Sequence, residues 1–457
     1  MKTEITITSR CSRGTILSKR LSTTDTLSFG FMLFAFFLGA GNIIFPPLAG
    51  LQSGENLMPA MMGFLITAVG LPLICLVAIA KIGGGIPSMT KGLPTWVGTA
   101  IAATIFVVIG PAFATPRTGL VAYEIGAVPF LQDPSSSTQV IFTIAFFAIA
   151  TLLALYPGKL MDIVGKALTP TLILLLTALA VSVLVAPSVP AGEATGAWAE
   201  DAFTTGFLEG YMTMDALGAL IFGTLLVDIL RRKGVTDSGD QARYMMIAGV
   251  IAAIGLAFVY ISLFYVGGAS AEIAATADNG GAILSAYVQS MFGGFGAVIL
   301  AAVVVLACLT TAVGLTTAFA EYFNSKIKLG YRNWVLICAA VCLVVANLTL
   351  SELIAISIPV LFVVYPIAMA LVIYVFARPA IAARTTTLAA MLIGALVTGV
   401  ASGLNVAGLA QPLVAQFSIL PLFDQHMGWI VPVIAALTFG LVYKRNERAL
   451  ATAEEQA

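Results

Sequence analysis

Charged residues are scarce in this sequence. Lysine and arginine together number 22 of 457 residues, aspartate and glutamate another 22, and charged residues make up only 10% of the chain. Soluble domains contain about a quarter charged residues, whereas this chain is 60% hydrophobic. The composition therefore excludes a soluble globular protein and indicates an all-α polytopic membrane protein. With a net charge of zero, no nucleic-acid partner is expected.

Histidine and cysteine are also rare, which excludes several kinds of chemistry. The only histidine, His426, lies in a polar loop, and the five cysteines follow neither a metal-binding spacing nor a disulfide framework. We therefore expect no zinc or haem site and no histidine-based catalysis. An intramembrane enzyme is disfavoured because no nucleophile–base pair lies within the apolar segments. Residues 1–24 are polar and basic without an apolar core, so we expect a cytoplasmic tail rather than a cleaved signal peptide.

Apolar runs of about 20 residues, the length that crosses a bilayer, are abundant. We predict twelve spans, at 25–50, 57–80, 96–125, 138–157, 163–186, 204–230, 244–268, 284–323, 332–349, 352–377, 385–404 and 428–443. With the N-terminus inside, every lysine and arginine except Arg117 lies in a tail or loop on the same side. The positive-inside rule makes that side cytoplasmic. Both termini are therefore expected in the cytoplasm.

The first span contains a cluster of residues that interrupt helices. In FGFMLFAFFLGAGNIIFPPLAG (29–50), Gly39, Gly41 and Asn42 are followed by two prolines. Lipid offers no partner for a freed backbone N–H or C=O, so a break is tolerated only where the backbone faces protein, water or a ligand. In secondary transporters such breaks form the substrate site. The alternative is a kinked helix whose glycines serve tight packing.

The sixth span has a second cluster of this kind. In GFLEGYMTMDALGALIFG (206–223), Glu209 and Asp215 stand among glycines. Two broken helices of opposite direction, each followed by four spans, match an inverted repeat, which favours alternating access over an ion channel. The predicted units are a cytoplasmic tail (1–24), a first repeat of spans 1–5 (25–190), a second repeat of spans 6–10 (204–380), two extra spans (385–443) and a cytoplasmic tail (444–457).

Four segments resemble the bacterial branched-chain amino acid–cation symporter family. They are FFLGAGNIIFPP (36–47), GPAFATPRTGLVAYEIG (110–126), GFLEGYMTMDALGALIFG (206–223) and TTAVGLTTAFAEYF (310–323). The similarity covers residues 25 to about 445. It implies import of leucine, isoleucine and valine across the bacterial inner membrane, driven by sodium or, in some relatives, by protons. It also implies a LeuT-like fold with helices 1 and 6 broken; a symporter for another small solute is the alternative within that fold.

Residues at the two breaks are candidates for substrate binding. The amides of Ala40 through Ile43 open a half-helix, and its positive dipole end suits a carboxylate. Asn42 offers an acceptor oxygen, although capping the same half-helix is an equal alternative. Asp215, an ionisable group at membrane depth, is a candidate for contact with an ammonium group, a cation or a proton, or a structural clamp. The full set is Gly39, Ala40, Gly41, Asn42, Ile43, Tyr211, Thr213, Met214 and Asp215.

A sodium site is predicted where the eighth span meets the first break. Ala307, Thr310 and Thr311 are spaced i, i+3, i+4 and so share a helix face. In LeuT-like layouts this face meets the first broken helix, where the carbonyls of Ala35 and Leu38 would complete the ion's shell. Threonine bonding to its own helix is the alternative explanation of the spacing. A proton remains the alternative coupling ion.

Two charged residues, Arg117 and Glu124, lie seven positions apart in the third span. Buried charges need partners, so a gate pair or a structural clamp would explain them equally well. The side-chain pocket should be apolar and should not distinguish sharply among branched side chains. Tyr123, Met214 and Phe222 are candidates for its walls. The expected partners are branched-chain amino acids and the lipid bilayer, and the sequence predicts no oligomeric state.

Overall fold

A computed structural model describes residues 21–156, 173–174, 177–179, 181–182, 192–381 and 383–442. Within these residues the chain is mainly helical and has no β-strand beyond an isolated bridge between Lys91 and Leu93. Most of the predicted fifth span and most of both predicted tails lie outside the described residues. The helical class predicted from the sequence is confirmed.

The helices of the described residues follow one another along the chain. In chain order they are α1 (Thr23–Phe37), α2 (Ala40–Ser53), α3 (Leu57–Leu65), α4 (Leu71–Ile82), α5 (Ile86–Met89), α6 (Thr95–Val107), α7 (Ala114–Gly126), α8 (Ser136–Ala154), α9 (Ala197–Glu200), α10 (Ala202–Glu209), α11 (Asp215–Arg232), α12 (Ser238–Gly268), α13 (Gly280–Lys326), α14 (Tyr331–Val345), α15 (Leu350–Ala377), α16 (Arg384–Val406), α17 (Gln411–Val414) and α18 (Ile430–Val442). In the described part of the chain, eight helical stretches, some of which run through an interruption, are long and apolar enough to cross a membrane. Helices α1, α14 and α18 are apolar but shorter.

The first predicted span is broken as expected, but its prolines do not take part in the break. Helix α1 ends at Phe37, α2 begins at Ala40, and the two residues between them have non-helical backbone angles. Helix α2 continues through Pro46 and Pro47. A proline inside a helix removes the hydrogen bond to the carbonyl four residues earlier. The carbonyls of residues 42 and 43 therefore lose their usual helical partners while the helix itself continues.

Close packing holds α2 against α12. A Cβ atom at Gly50 would lie 2.1 Å from the carbonyl oxygen of Phe264, and one at Gly267 would lie 2.0 Å from that of Pro47. Neither position has room for a side chain. Small residues allow such close approach of membrane helices, so these two glycines fix the half-helix after the first break against α12.

Two long predicted spans each consist of two helical segments. The third contains α6 and α7, joined by a turn in which Gly110 has a ψ angle of −118° beside Pro111. The eighth lies within α13, where Gly293 has a φ angle of 63° and a ψ angle of −163°. Glycine adopts such positive φ angles at little cost. Each of these two long spans is therefore interrupted at a glycine rather than formed by one uninterrupted helix.

Candidate functional site

The second predicted break lies between α10 and α11. After α10 ends at Glu209, residues 210–213 form a 3₁₀ turn, and Met214 has φ and ψ angles of 64° and 10°. This left-handed conformation costs a non-glycine residue about 1–2 kcal/mol. Backbone strain of this kind persists only where the surroundings impose it, and it clusters at functional sites.

The two breaks lie side by side. A Cβ atom at Gly41, in the first turn of α2, would lie 3.3 Å from both the Cα and the carbonyl oxygen of Thr213. The same atom would lie 3.5 Å from Nη1 of Arg117 in α7. Residues far apart in the sequence therefore converge on one small region at the ends of the half-helices.

A buried hydrogen-bond network connects the two breaks with α12. Asn42 Oδ1 accepts a bond from the backbone N–H of Gly39 (2.9 Å), and Asn42 Nδ2 donates to Asp215 Oδ2 (2.6 Å). The Tyr260 hydroxyl donates to the same carboxylate oxygen (2.6 Å) and also accepts from Asn42 Nδ2. All three side chains are buried. Asn42 thus caps the half-helix, and Asp215 joins the two breaks.

Arg117 contacts the second break rather than Glu124. Its Nη1 donates to the carbonyl oxygen of Met212 (2.8 Å) and its Nη2 to Ser357 Oγ (3.1 Å), while its Nε is buried without a hydrogen-bond partner among the described residues. Glu124 instead accepts a bond from Asn279 Nδ2 (3.2 Å). The structure therefore does not bring the two predicted gate residues together, and each is stabilised by partners of its own.

A small cavity of about 40 Å³ lies between the breaks. Most of the predicted substrate residues line it, together with Arg117 and Thr311: Gly39, Ala40, Gly41, Asn42, Thr213, Met214 and Asp215. Its apolar walls include Phe36, Ile109 and Phe222, and the rings of Phe36 and Phe222 stack with their centroids 5.2 Å apart. The cavity thus combines polar backbone and side-chain groups with an aromatic surface.

Three predicted residues have other positions. Ile43 and Tyr211 are buried but are not among the residues that line this cavity, and Tyr211 stacks on Tyr365 with centroids 4.4 Å apart. Tyr123, a candidate for the pocket wall, does not line the cavity. Its hydroxyl bonds with Thr138 Oγ1 (2.7 Å) instead.

Only some of the residues predicted to bind sodium contact one another across the first break. Thr311 Oγ1 lies 3.4 Å from the carbonyl oxygen of Leu38 and donates to it, which brings α13 against the first break. A Cβ atom at Gly39 would lie only 3.0 Å from Thr311 Cγ2. Thr310 Oγ1, by contrast, donates to the carbonyl of Ala307 in its own helix (2.8 Å). Ala35 is buried near the end of α1, and a sodium role for any of these residues stays a prediction.

Tyr260 and Ser357 belong to the site but carry no distinct sequence signal. Tyr260 stands in a long apolar run and Ser357 in another, neither beside a glycine cluster or a second polar residue. Their partners Asp215 and Arg117 are 45 and 240 positions away in the chain. Only the tertiary structure reveals these contacts.

Comparison with known proteins identifies the family. Residues 22–447 match the family model described as "Branched-chain amino acid transport protein". The chain is 45% identical over 422 residues to the branched-chain amino acid transport system 2 carrier protein of Pseudomonas aeruginosa, covering 92% of this chain and 96% of that protein. It is 43% identical over 429 residues to the branched-chain amino acid permease BrnQ of Salmonella typhimurium, covering 94% of this chain and 98% of that protein.

A solved structure shows the same fold. The crystal structure of MhsT in complex with L-phenylalanine aligns with a TM-score of 0.53 at 16% identity, covering 89% of this chain and 98% of that chain. The LeuT-like fold class that the family resemblance implies is thereby confirmed. The family consists of transporters, so the expectation that the chain is not an enzyme is also confirmed. This chain belongs to the family of branched-chain amino acid transport proteins.

Proposed function

We propose that this chain imports leucine, isoleucine and valine together with sodium by alternating access. The observation that carries the proposal is the cavity bounded by both helix breaks. In transporters with this layout, half-helix ends face the substrate near the middle of the membrane. The relatives named above are branched-chain amino acid carriers and permeases, which supports the same class of substrate here.

The substrate carboxylate would bind at the first turn of α2 beside Arg117. Free amides at a helix N-terminus favour an anion, and the absence of a side chain at Gly41 leaves the backbone accessible. The Arg117 guanidinium lies next to this turn, and its Nε–H has no hydrogen-bond partner in the described residues. Guanidinium–carboxylate bonds are among the stronger hydrogen bonds. Arg117 is thus proposed as a carboxylate partner rather than as a gate residue.

The substrate ammonium and side chain would occupy the rest of the cavity. Asp215 is the one acidic residue that lines it, and its carboxylate is the natural counter-charge for an ammonium group. Phe36, Phe222 and Met214 present apolar surface for a branched side chain. Such a pocket rejects charged side chains because it cannot solvate them. It distinguishes a single methylene by only about 1–3 kcal/mol.

Sodium would bind between α13 and the first break. The Thr311 hydroxyl and the Leu38 carbonyl already provide two neighbouring oxygens. Ala35, Ala307 and Thr310 would supply further oxygens, for which the Thr310 hydroxyl has to leave its bond to Ala307. The described residues contain no cluster of three or more acidic, histidine or cysteine side chains suited to a metal ion, so neutral oxygens would bind the ion.

Transport requires the cavity to open. Its volume of about 40 Å³ holds only a few water molecules, whereas pockets for small ligands measure about 300–1,000 Å³. We propose that repeats 25–190 and 204–380 move against each other to open it to either side. The proposed topology has twelve spans, with 385–443 forming the last two, and both tails in the cytoplasm of a bacterial inner membrane.

Uptake of labelled leucine into proteoliposomes tests the proposal. A sodium gradient and a proton gradient are imposed separately, with valinomycin and potassium used to hold the membrane potential constant. We expect the sodium gradient alone to drive leucine accumulation. Full accumulation with a proton gradient in the absence of sodium would favour the alternative, proton coupling. No leucine uptake under either gradient would refute the proposed substrate.

A further inference from the structure

A second and much larger cavity lies outside the substrate region. Helices α6, α15 and α16 enclose an apolar groove of about 570 Å³. Except for Thr104, its lining residues are apolar. Trp96 and Ile393, on two of its walls, are 70% and 63% exposed, so the groove opens on the protein surface. Its volume falls within the range of pockets that bind small organic ligands.

Basic residues surround one end of this groove. Lys91 precedes the lining residue Leu93 by two positions, and Arg384 is the first residue of α16. A Cβ atom at Gly92 would lie 3.0 Å from Thr385 Oγ1, so these two chain segments are adjacent. Both basic side chains belong to exposed residues, and neither forms an ion pair within the described part of the chain.

The surrounding sequence reinforces this charge. Arg378 follows the end of α15, and the Lys81 ammonium lies 5.1 Å from the ring centroid of Phe376 at the same end of that helix. No acidic residue occurs in 81–96 or 374–390. Trp96 lines the groove near its basic end, and tryptophan is enriched where a membrane meets water.

We propose that this groove binds an anionic phospholipid. An acyl chain occupies the apolar groove between α6 and α16, and the headgroup phosphate lies between Lys91 and Arg384. An apolar groove alone would accept the chain of any lipid. The basic residues at its end, which form no ion pair with any described residue, select a negatively charged headgroup. Each basic residue near an anionic lipid surface contributes about 1 kcal/mol, which is roughly fivefold in affinity. This site is independent of the substrate cavity.

Native mass spectrometry of the purified full-length protein tests the proposal. The protein is titrated with phosphatidylglycerol or phosphatidylcholine of identical acyl chains. We expect the dissociation constant of wild type for its first phosphatidylglycerol molecule to be at least about fivefold lower than that for its first phosphatidylcholine molecule. The double variant Lys91→Gln/Arg384→Gln should lose this preference. Equal binding of the two lipids to wild type would overturn the proposal.

Two further variants separate the groove from general surface charge. Lys328→Gln/Arg332→Gln removes two exposed basic residues, one just before α14 and one in its first turn, neither of which lines the groove, and it should retain the preference. A loss equal to that of the first double variant would show a non-specific charge effect. Ala100→Trp fills the exposed groove and should weaken binding of both lipids while leaving the basic residues in place. Unchanged binding in that variant would exclude the groove as the acyl-chain site.

Discussion

Replacing Tyr260 by phenylalanine should weaken the connection between the two helix breaks. The substitution removes the hydroxyl that donates to Asp215 and accepts from Asn42, but it retains the ring that packs edge-on against Phe64 at 5.3 Å. A hydrogen bond contributes about 0.5–1.5 kcal/mol net, and about 1.5–3 kcal/mol when one partner is charged. The two lost bonds together therefore amount to about 2–4.5 kcal/mol.

Part of this loss should appear in substrate binding, because Asn42 and Asp215 both line the cavity. A share of 1.4 kcal/mol corresponds to about tenfold weaker affinity. We expect Tyr260→Phe to lower leucine affinity at least about tenfold, measured by equilibrium binding to purified protein. Tyr265→Phe is the matched control, since among the described residues the Tyr265 hydroxyl bonds only with the sulfur of Met58, at 3.7 Å. Wild-type leucine affinity in Tyr260→Phe, with folding confirmed by size-exclusion chromatography, would refute this role of the network.

Three further predictions concern the ion, the substrate and the first break. Thr311→Ala should shift the sodium activation of leucine uptake to higher sodium concentration. Thr310→Ala should shift it less, because the Thr310 hydroxyl bonds within its own helix. Equal sodium activation curves for Thr311→Ala and wild type would remove Thr311 from the site. Excess isoleucine or valine should inhibit uptake of labelled leucine and lysine should not, so strong inhibition by lysine would exclude an apolar side-chain pocket. Gly41→Ala should express normally, because its nearest neighbours at 3.3 Å need to shift only slightly, yet bind leucine poorly. Leucinol, which lacks the carboxylate, should bind poorly to wild type; near-normal affinity in both experiments would mean that the first break serves packing alone.

The positions of both breaks could be predicted from the sequence because their signals are local. Glycine beside asparagine in an apolar run conflicts with a continuous membrane helix, and the same holds for Asp215 among glycines. One local signal gave a wrong prediction. Pro46 and Pro47 were expected to take part in the first break, but both lie within α2. The kink at Gly293 was not predicted, although Gly293, Gly294 and Gly296 lie together, because glycines in membrane helices also serve close helix packing.

The contacts within the site could not be predicted in the same way. Asn42 bonds with residues 173 and 218 positions away, and hydrophobic periodicity carries no information about such pairs. The sequence did place Arg117 in the membrane as a charge that needs a partner. It suggested Glu124, because the two share a helix face, whereas the folded chain supplies a carbonyl of the second break and Ser357. A buried cation can be satisfied by neutral oxygens, which are too common in a sequence to single out.

The central claim is that the amino acid binds between the two breaks. A structure determined by electron cryomicroscopy with leucine and sodium present tests it most directly. We predict leucine in an enlarged form of the cavity, with its carboxylate within hydrogen-bond distance of the first turn of α2 and of Arg117, and its side chain against Met214 and Phe222. Leucine bound elsewhere, with this cavity unchanged, would contradict the claim.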